Sequence, residues 1–210
     1  MARSYRALGA LLGYPTEALQ AATAEIAAAL AEEGLVPAPQ RAALGRLLGE
    51  LAGEDIYALQ ERYVGLFDRS RTLSLHLFEH IHGESRDRGQ AMADLINHYR
   101  QHGYEPTATE LPDYLPLFLE FLSVIPEVHA RRYLGEAIDI VETLRIRLEE
   151  RDSTYAALLT ALVRLAGREA DDAEVEAILA TEPEDPKDLD ERDKEWAEEP
   201  VDFAAGSALK

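Results

Sequence analysis

The chain has 210 residues, no cysteine, and 40 acids against 21 bases, a net charge of −19. The missing thiols exclude a disulfide framework, thiolate metal sites and thiol catalysis. The acidity opposes binding to nucleic acid and to anionic lipid, and it favours basic partners.

Ala, Leu, Glu and Arg dominate, whereas the strand-preferring Val, Ile and Thr are thin and scattered. That composition predicts an all-α protein: a single-domain helical bundle over residues 1–180, with an acidic tail over 181–210. The tail holds eleven acids and four bases, −7 of the total, so residues 1–180 hold −12. The amino-terminal stretch is broken by glycines and followed by Pro15, which reads as an amphipathic first helix rather than a signal peptide. No run approaches the roughly 18 consecutive apolar residues of a membrane span. A cytoplasmic protein without membrane insertion is expected.

In chain order, residues 3–12 form a short helix ended by Gly13, Tyr14 and Pro15. Thr16 caps a second, Ala-rich helix that runs to Glu33 and stops at Gly34. Helices follow over 41–51 and 55–66, the latter with Ile56, Leu59, Tyr63, Leu66 and Phe67 at helical spacing. Residues 68–74 have the composition of a loop. A short helix is predicted over 75–81, closed by His82 and Gly83, then a longer one from about Ser85 to Gly103 with Met92, Leu95, Ile96 and Tyr99 on one face. Thr107 and Glu110 suggest a capping box that admits Pro112 to the first turn of a helix reaching Val124. This helix is apolar almost all round, as expected of an element central to the fold. One long helix is predicted over 127–150, another over 153–166 and a short last one over 171–179. The tail is proline-punctuated and charged, and it is expected to be disordered because it buries too little apolar surface to offset its ordering entropy. Its Trp196 and Phe203 are either a docking spot or incidental.

His76, His80 and His82 invite a metal reading, because His76 and His80 stand four apart on the predicted 75–81 helix. A zincin site, however, places its acid directly after the first histidine, where this chain has Leu77. No further ligand stands at a spacing that completes a tetrahedral set. Glu79 and His82 make one Glu-x-x-His, but a di-iron bundle needs two. There is no G-x-S-x-G, no P-loop and no dinucleotide fingerprint. No catalytic residue, cofactor or metal is therefore assigned, and a metal-binding helical enzyme or sensor built on His76, His80 and His82 is the alternative reading.

What the sequence offers instead is a combination of apolar and charged surfaces. Arg86 and Arg88 supply fork donors suited to carbonyls and carboxylates of a bound segment. Glu110 and Asp113 form an acidic rim at the mouth of the apolar helix. Helix-in-groove binding needs an apolar floor with a complementary charged edge. A groove is accordingly expected between the helix over 85–99 and the helix over 111–124. Leu77, Phe78, Met92, Leu115 and Phe118 would supply its floor, although Phe78 and Phe118 are equally suited to the core.

Four runs carry a family resemblance: LHLFEHIHGESRDRGQAMADL from Leu75, ELPDYLPLFLEFL from Glu110, ERYVGLFDR from Glu61 and EWAEEPV from Glu195. Together they resemble the nitrate reductase delta-subunit family, the NarJ-type molybdenum cofactor assembly chaperones of the redox-enzyme maturation group. The resemblance implies an all-helical, TorD-like chaperone fold without catalytic activity. It implies binding to the N-terminal peptide of the apo catalytic subunit of respiratory nitrate reductase, held in the cytoplasm until molybdenum cofactor insertion. Molybdenum cofactor biosynthesis proteins are further candidate partners. The wider group's Glu/Pro/Asp loop motif maps onto Glu110, Pro112 and Asp113, with Tyr114 where a histidine is usual. The client-binding set expected from residues and resemblance together is Leu77, Phe78, His82, Arg86, Arg88, Met92, Glu110, Pro112, Asp113, Tyr114, Leu115 and Phe118.

Overall fold

The computed structural model describes residues 2–69, 71–82, 86–106 and 110–180, apart from the side chains of His82 and Arg86. The tail over 181–210, the start of the capping box at Thr107 and the helix end at Gly83 lie outside the described residues. Among those described, the secondary structure is helical, with one isolated backbone bridge between His76 and Tyr114.

Helices α1 (Arg3–Leu12) and α2 (Glu17–Glu33) lie where their punctuation puts them. The Thr16 hydroxyl accepts the Leu19 N–H at 3.1 Å, and Gly34 closes α2 at φ +69°, where a Cβ is disfavoured. Ala2 offers α1 no side-chain cap. Glu33 substitutes for it from the far end of α2, accepting the N–H groups of Arg3 and Ser4 at 2.8 and 2.6 Å. Burial opposes ionisation of Glu33, but the bonds from Ser4 and Arg3 outweigh it and hold the carboxyl below its ordinary pKa.

Helix α3 (Ala38–Gly53) packs on α2, and Asp55 caps α4 (Ile56–Tyr63) through the N–H groups of Tyr57 and Ala58. The helix predicted to run to Leu66 instead widens into a π-helical turn over Val64–Asp68, followed by a 3-10 turn over Arg71–Leu73. The wider turn sets Phe67 against Tyr63 and Tyr155, with ring centroids 4.8 and 5.2 Å apart. Arg147, itself buried, donates to the carbonyls of Thr72 at 2.7 Å and Ile178 at 2.9 Å. It thereby staples this turn to the end of the last helix among the described residues.

Helix α5 (Glu79–His82) is a single turn, and α6 (Arg86–Gln101) follows it. The predicted helix over 75–81 is mostly absent. Residues 75–77 are extended, because the Leu75 carbonyl and the Leu77 N–H bond to Leu115 and Asp113 at 2.8 and 3.0 Å. Partners from a distant segment satisfy the backbone here, so the local helix preference loses.

Helix α7 (Leu115–Val124) is the central element, with Leu115, Leu119, Phe121 and Leu122 fully buried. It starts at Leu115, later than its apolar run suggested, so Pro112 precedes it and Pro116 occupies the first turn. Helix α1 crosses it closely. A Cβ on Gly9 would stand 3.0 Å from the Pro116 carbonyl oxygen and 3.2 Å from Leu119 Cβ.

The helix predicted over 127–150 is two helices, α8 (Glu127–Glu136) and α9 (Ile138–Glu149), divided at Ala137. Its outer carbonyls are taken from elsewhere: Gly167 donates to Arg131 at 2.9 Å, and Arg168 Nε donates to Gly135 at 2.8 Å. Arg131 lies inside α8, so the bond that bears on the break is that of Arg168 to the Gly135 carbonyl, the acceptor a continuous helix would offer to the Asp139 N–H. Helix α10 (Tyr155–Leu165) lies against α9 and α3, and α11 (Asp172–Leu179) completes the bundle against α9. No helix among the described residues is long and apolar enough to cross a membrane.

Replacing Gly9 by Ala should separate the helix propensity of that site from its packing. On an open helix face Ala is favoured by about 0.5–1 kcal/mol. Here the crowding against Pro116 should reverse the sign and destabilise by about 1–3 kcal/mol. Urea unfolding at fixed pH measures it.

Candidate functional site

The site grows from one buried carboxylate. Asp113, at 0% exposure, sits between the extended residues 75–77 and the head of α7. Its Oδ2 accepts the Phe78 N–H at 3.1 Å, and its Oδ1 lies 3.3 Å from His76 Nδ1. Arg88 on α6 approaches to 3.9 Å and also donates to Glu79 at 3.0 Å. A carboxylate removed from water needs such partners. The Asp113 bond raises the pKa of His76, against the lowering effect of its partial burial. Desolvation pushes His80 the other way, and its Nε2 donates to the Ser74 carbonyl at 2.8 Å.

Around this junction the aromatic network continues. Tyr114 shares a 3.0 Å hydroxyl contact with Tyr63, which also bonds the Leu12 carbonyl. Tyr99 donates to the Pro112 carbonyl at 2.6 Å and stacks obliquely on Phe121, centroids 4.5 Å apart. The turn over 111–114 is thus held from α1, α4 and α6 together.

Leu77 and Phe78, held by that turn through Asp113, border an apolar cleft of about 460 Å³. Leu77 and Phe118 floor it; Phe78 and Ile81 form its lip. Ala91, Asp94, Leu95 and His98 of α6 make one wall, and Tyr133, Glu136, Ala137 and Ile140 at the α8–α9 break make the other. Ile81 is 59% exposed although it is large and apolar. Asp94 and Glu136 put one carboxylate on each wall. The His98 ring packs edge-on against Tyr133 at 4.6 Å, and desolvation, with His102 and Arg132 nearby, lowers its pKa.

The structure sorts the sequence-derived set. Leu77, Phe78 and Phe118 line the cleft. Asp113 is no rim residue but a buried anchor, because the Phe78 N–H and the His76 ring meet its charge inside. Leu115 is fully buried core, and Pro112 is buried with its carbonyl engaged by Tyr99. Arg88 is tied to Glu79 and Asp113 and is not a free fork. Tyr114 and Met92 are half-buried beside the cleft rather than in its wall, and Glu110 is exposed. The side chains of His82 and Arg86 lie outside the described residues. His76 and His80 do not share a helical face, since the segment between them is a turn, and their described hydrogen bonds go to Asp113 and Ser74. Among the described residues, no three His, Asp or Glu side chains converge as a metal site would require.

Sequence reasoning missed the second wall. The periodicity through Leu134, Ala137, Ile138, Val141, Leu144 and Leu148 marks the core face of one continuous helix, whereas the neighbouring stripe of Tyr133, Glu136, Ala137 and Ile140 lines the cleft. The α6 wall was present as the 91, 94, 95, 98 spacing, one position away from the stripe through Met92 and Tyr99. Tyr99 itself is core.

Substituting Asp113 by Ala should destabilise the fold by about 2–4 kcal/mol, because an amide N–H and a histidine lose a charged acceptor in a buried place. His76 adds a pH signature. Its folded pKa lies above its unfolded one, so its contribution is complete below about pH 6.5 and is lost as pH rises through the folded value. The stability difference between parent and His76→Gln should therefore be larger in mild acid than in mild alkali. A difference independent of pH would contradict the Asp113 pairing.

The profile of the family described as nitrate reductase delta subunit matches residues 14–161. The chain is 43% identical over 197 residues to the nitrate reductase molybdenum cofactor assembly chaperone NarJ of Escherichia coli (strain K12), covering 93% of this chain and 82% of that protein. It is 37% identical over 204 residues to the probable assembly chaperone NarW of the same strain, covering 97% and 84%. With the probable NarJ of Bacillus subtilis (strain 168) it shares 35% over 181 residues, covering 83% and 96%. An all-helical bundle matched over this span belongs to the nitrate reductase delta subunit family.

Proposed function

We propose that this chain is a nitrate reductase assembly chaperone whose cleft between α6 and the α8–α9 break holds the N-terminal segment of the apo catalytic subunit. The bound segment is an amphipathic helix, its apolar face on Leu77, Phe78, Ile81, Leu95 and Phe118. Holding it keeps the subunit in the cytoplasm, before membrane attachment, while the molybdenum cofactor is inserted. The cofactor is cargo of the client, and no residue of this chain is assigned to it.

The open apolar cleft carries the reading. Its walls are rigid helices and its floor is fixed by the Asp113 junction, so little ordering is needed on this side. Each large side chain that the client buries there contributes about 1.5–3 kcal/mol before ordering costs. Asp94 and Glu136, on opposite walls of a chain with net charge −19, select a helix bearing Lys or Arg along its flanks. Family membership supports the choice of client. The metal-enzyme alternative finds no support, since His76 and His80 are engaged in separate hydrogen bonds.

Calorimetric titration with the N-terminal peptide of a nitrate reductase catalytic subunit tests it. Ile81→Asp should weaken binding by about tenfold or more, the equivalent of 1.4 kcal/mol. Leu111→Asp, which alters an exposed apolar residue outside the cleft, should leave it unchanged. Asp94→Lys with Glu136→Lys should also weaken binding, most at low salt. Equal affinity for parent and Ile81→Asp would remove the cleft from the mechanism.

A further inference from the structure

Helix α8 has a second side. Behind the ridge that faces the client cleft lies another hollow, of about 420 Å³, lined by Val128, Arg131, Arg132, Gly135, Glu136, Gly167 and Arg168. It forms because two backbones meet closely: a Cβ on Gly167 would stand 3.0 Å from the Arg131 carbonyl oxygen. In so acidic a chain, three arginines around one hollow are a concentrated exception. Arg168 is fully engaged, donating to Gly135, Glu169 and Asp139. Arg131 and Arg132 are not. Their nearest acids, Glu127 and Glu136, stand 3.6 and 3.7 Å away, and the two side chains are 46% and 63% exposed. Val128, at 71% exposure, adds an uncovered apolar patch beside them.

We infer that the hollow is the docking site of this chain's own acidic tail, with Trp196 seated against Val128 and its flanking glutamates paired with Arg131 and Arg132. Charge and chemistry match: the segment Glu195, Trp196, Ala197, Glu198, Glu199 presents an indole among three carboxylates. Indole faces also accept guanidinium groups, as the Arg132 guanidinium already does, 4.6 Å from the centre of the Tyr133 ring. The geometry permits it. Asp139 binds both Arg168 and the Asp171 N–H, so α11 begins beside the hollow. Eight residues of α11 carry the chain about 12 Å away. From Ala180, the sixteen residues to Trp196 span roughly 20–24 Å as a flexible chain, enough to return. The client cleft suits the tail less well, because its described lining carries Asp94 and Glu136 with no cation, whereas Glu136 at this hollow is offset by three arginines.

Trp196 is the chain's only tryptophan, so the fluorescence of the intact protein reports its surroundings directly. In dilute, low-salt buffer its emission should be shifted to shorter wavelength than in the urea-unfolded chain, and acrylamide should quench it less. Arg131→Glu with Arg132→Glu should abolish both effects, and so should molar salt, which screens charges beyond about 3 Å. Glu198→Lys with Glu199→Lys should abolish them as well, and it alters nothing in the folded bundle, so a folding defect cannot mimic the result. Trp196 emission in the parent equal to that of the unfolded chain would overturn the proposal. Survival of the shift through both charge reversals would overturn it too. So would a shift that fades on dilution, which would assign the tail to a second copy.

Discussion

The architecture of the cleft depends on placing one negative charge out of water. Asp113 is the point where three separate stretches of chain meet: the extended residues 75–77, the head of α7, and α6 through Arg88. A carboxylate in that position is unfavourable on its own, and its stability comes from directed donors. The donors are what fix the geometry. The Phe78 N–H and the His76 ring leave little freedom in where the lip of the cleft lies, and the paired carbonyls and N–H groups of Leu75, Leu77, Asp113 and Leu115 remove the rest. An apolar contact in the same place would hold these segments together without specifying their register.

The cleft then follows from how the remaining helices end. Helix α7 buries nearly its whole circumference and so contributes a floor, not a wall. The opposite wall is the stripe of Tyr133, Glu136, Ala137 and Ile140 across the α8–α9 break, where Arg168 bonds the Gly135 carbonyl that a continuous helix would offer to Asp139. The same bond brings Arg168 to the arginine-lined hollow on the other side of α8. The two hollows share Glu136 but differ in chemistry: one is apolar between two carboxylates, the other cationic around an exposed valine.

Much of this was legible in the sequence wherever local chemistry decides the outcome. Thr16, Gly34, Gly13 and Asp171 mark helix ends that the fold respects. The all-round apolar run after Leu115 announced the central helix. What stayed hidden was set by long-range backbone bonding. Residues 75–78 have helical composition, yet Asp113 and Leu115, in a distant segment, satisfy their backbone polar groups. The 127–150 periodicity continues across Ala137, and nothing local reports that Arg168 reaches the Gly135 carbonyl. Asp113 reads as a rim acid and Arg88 as a fork donor for a bound segment, because a sequence shows that charges are dense and not whether they face each other. Leu77, Phe78 and Phe118 do line the cleft, since apolar residues in a short, charge-flanked stretch have few ways to be covered.

The distribution of charge gives these features a common logic. Residues 1–180 carry −12, so any cationic helix approaching the bundle is attracted from a distance, to within about a Debye length of 8–10 Å. Long-range attraction alone does not choose among faces of the molecule. The choice comes at contact, where only a face with apolar surface between acids rewards both halves of an amphipathic helix. A hollow ringed by Arg131, Arg132 and Arg168 penalises that same helix at short range. On the proposed reading, the arginines would direct a basic client away from the outer side of α8 and toward the inner one, where Asp94 and Glu136 stand on either side of Leu77 and Phe118. Discrimination between the two sides of a single helix rests on a repulsive contact as much as on an attractive one.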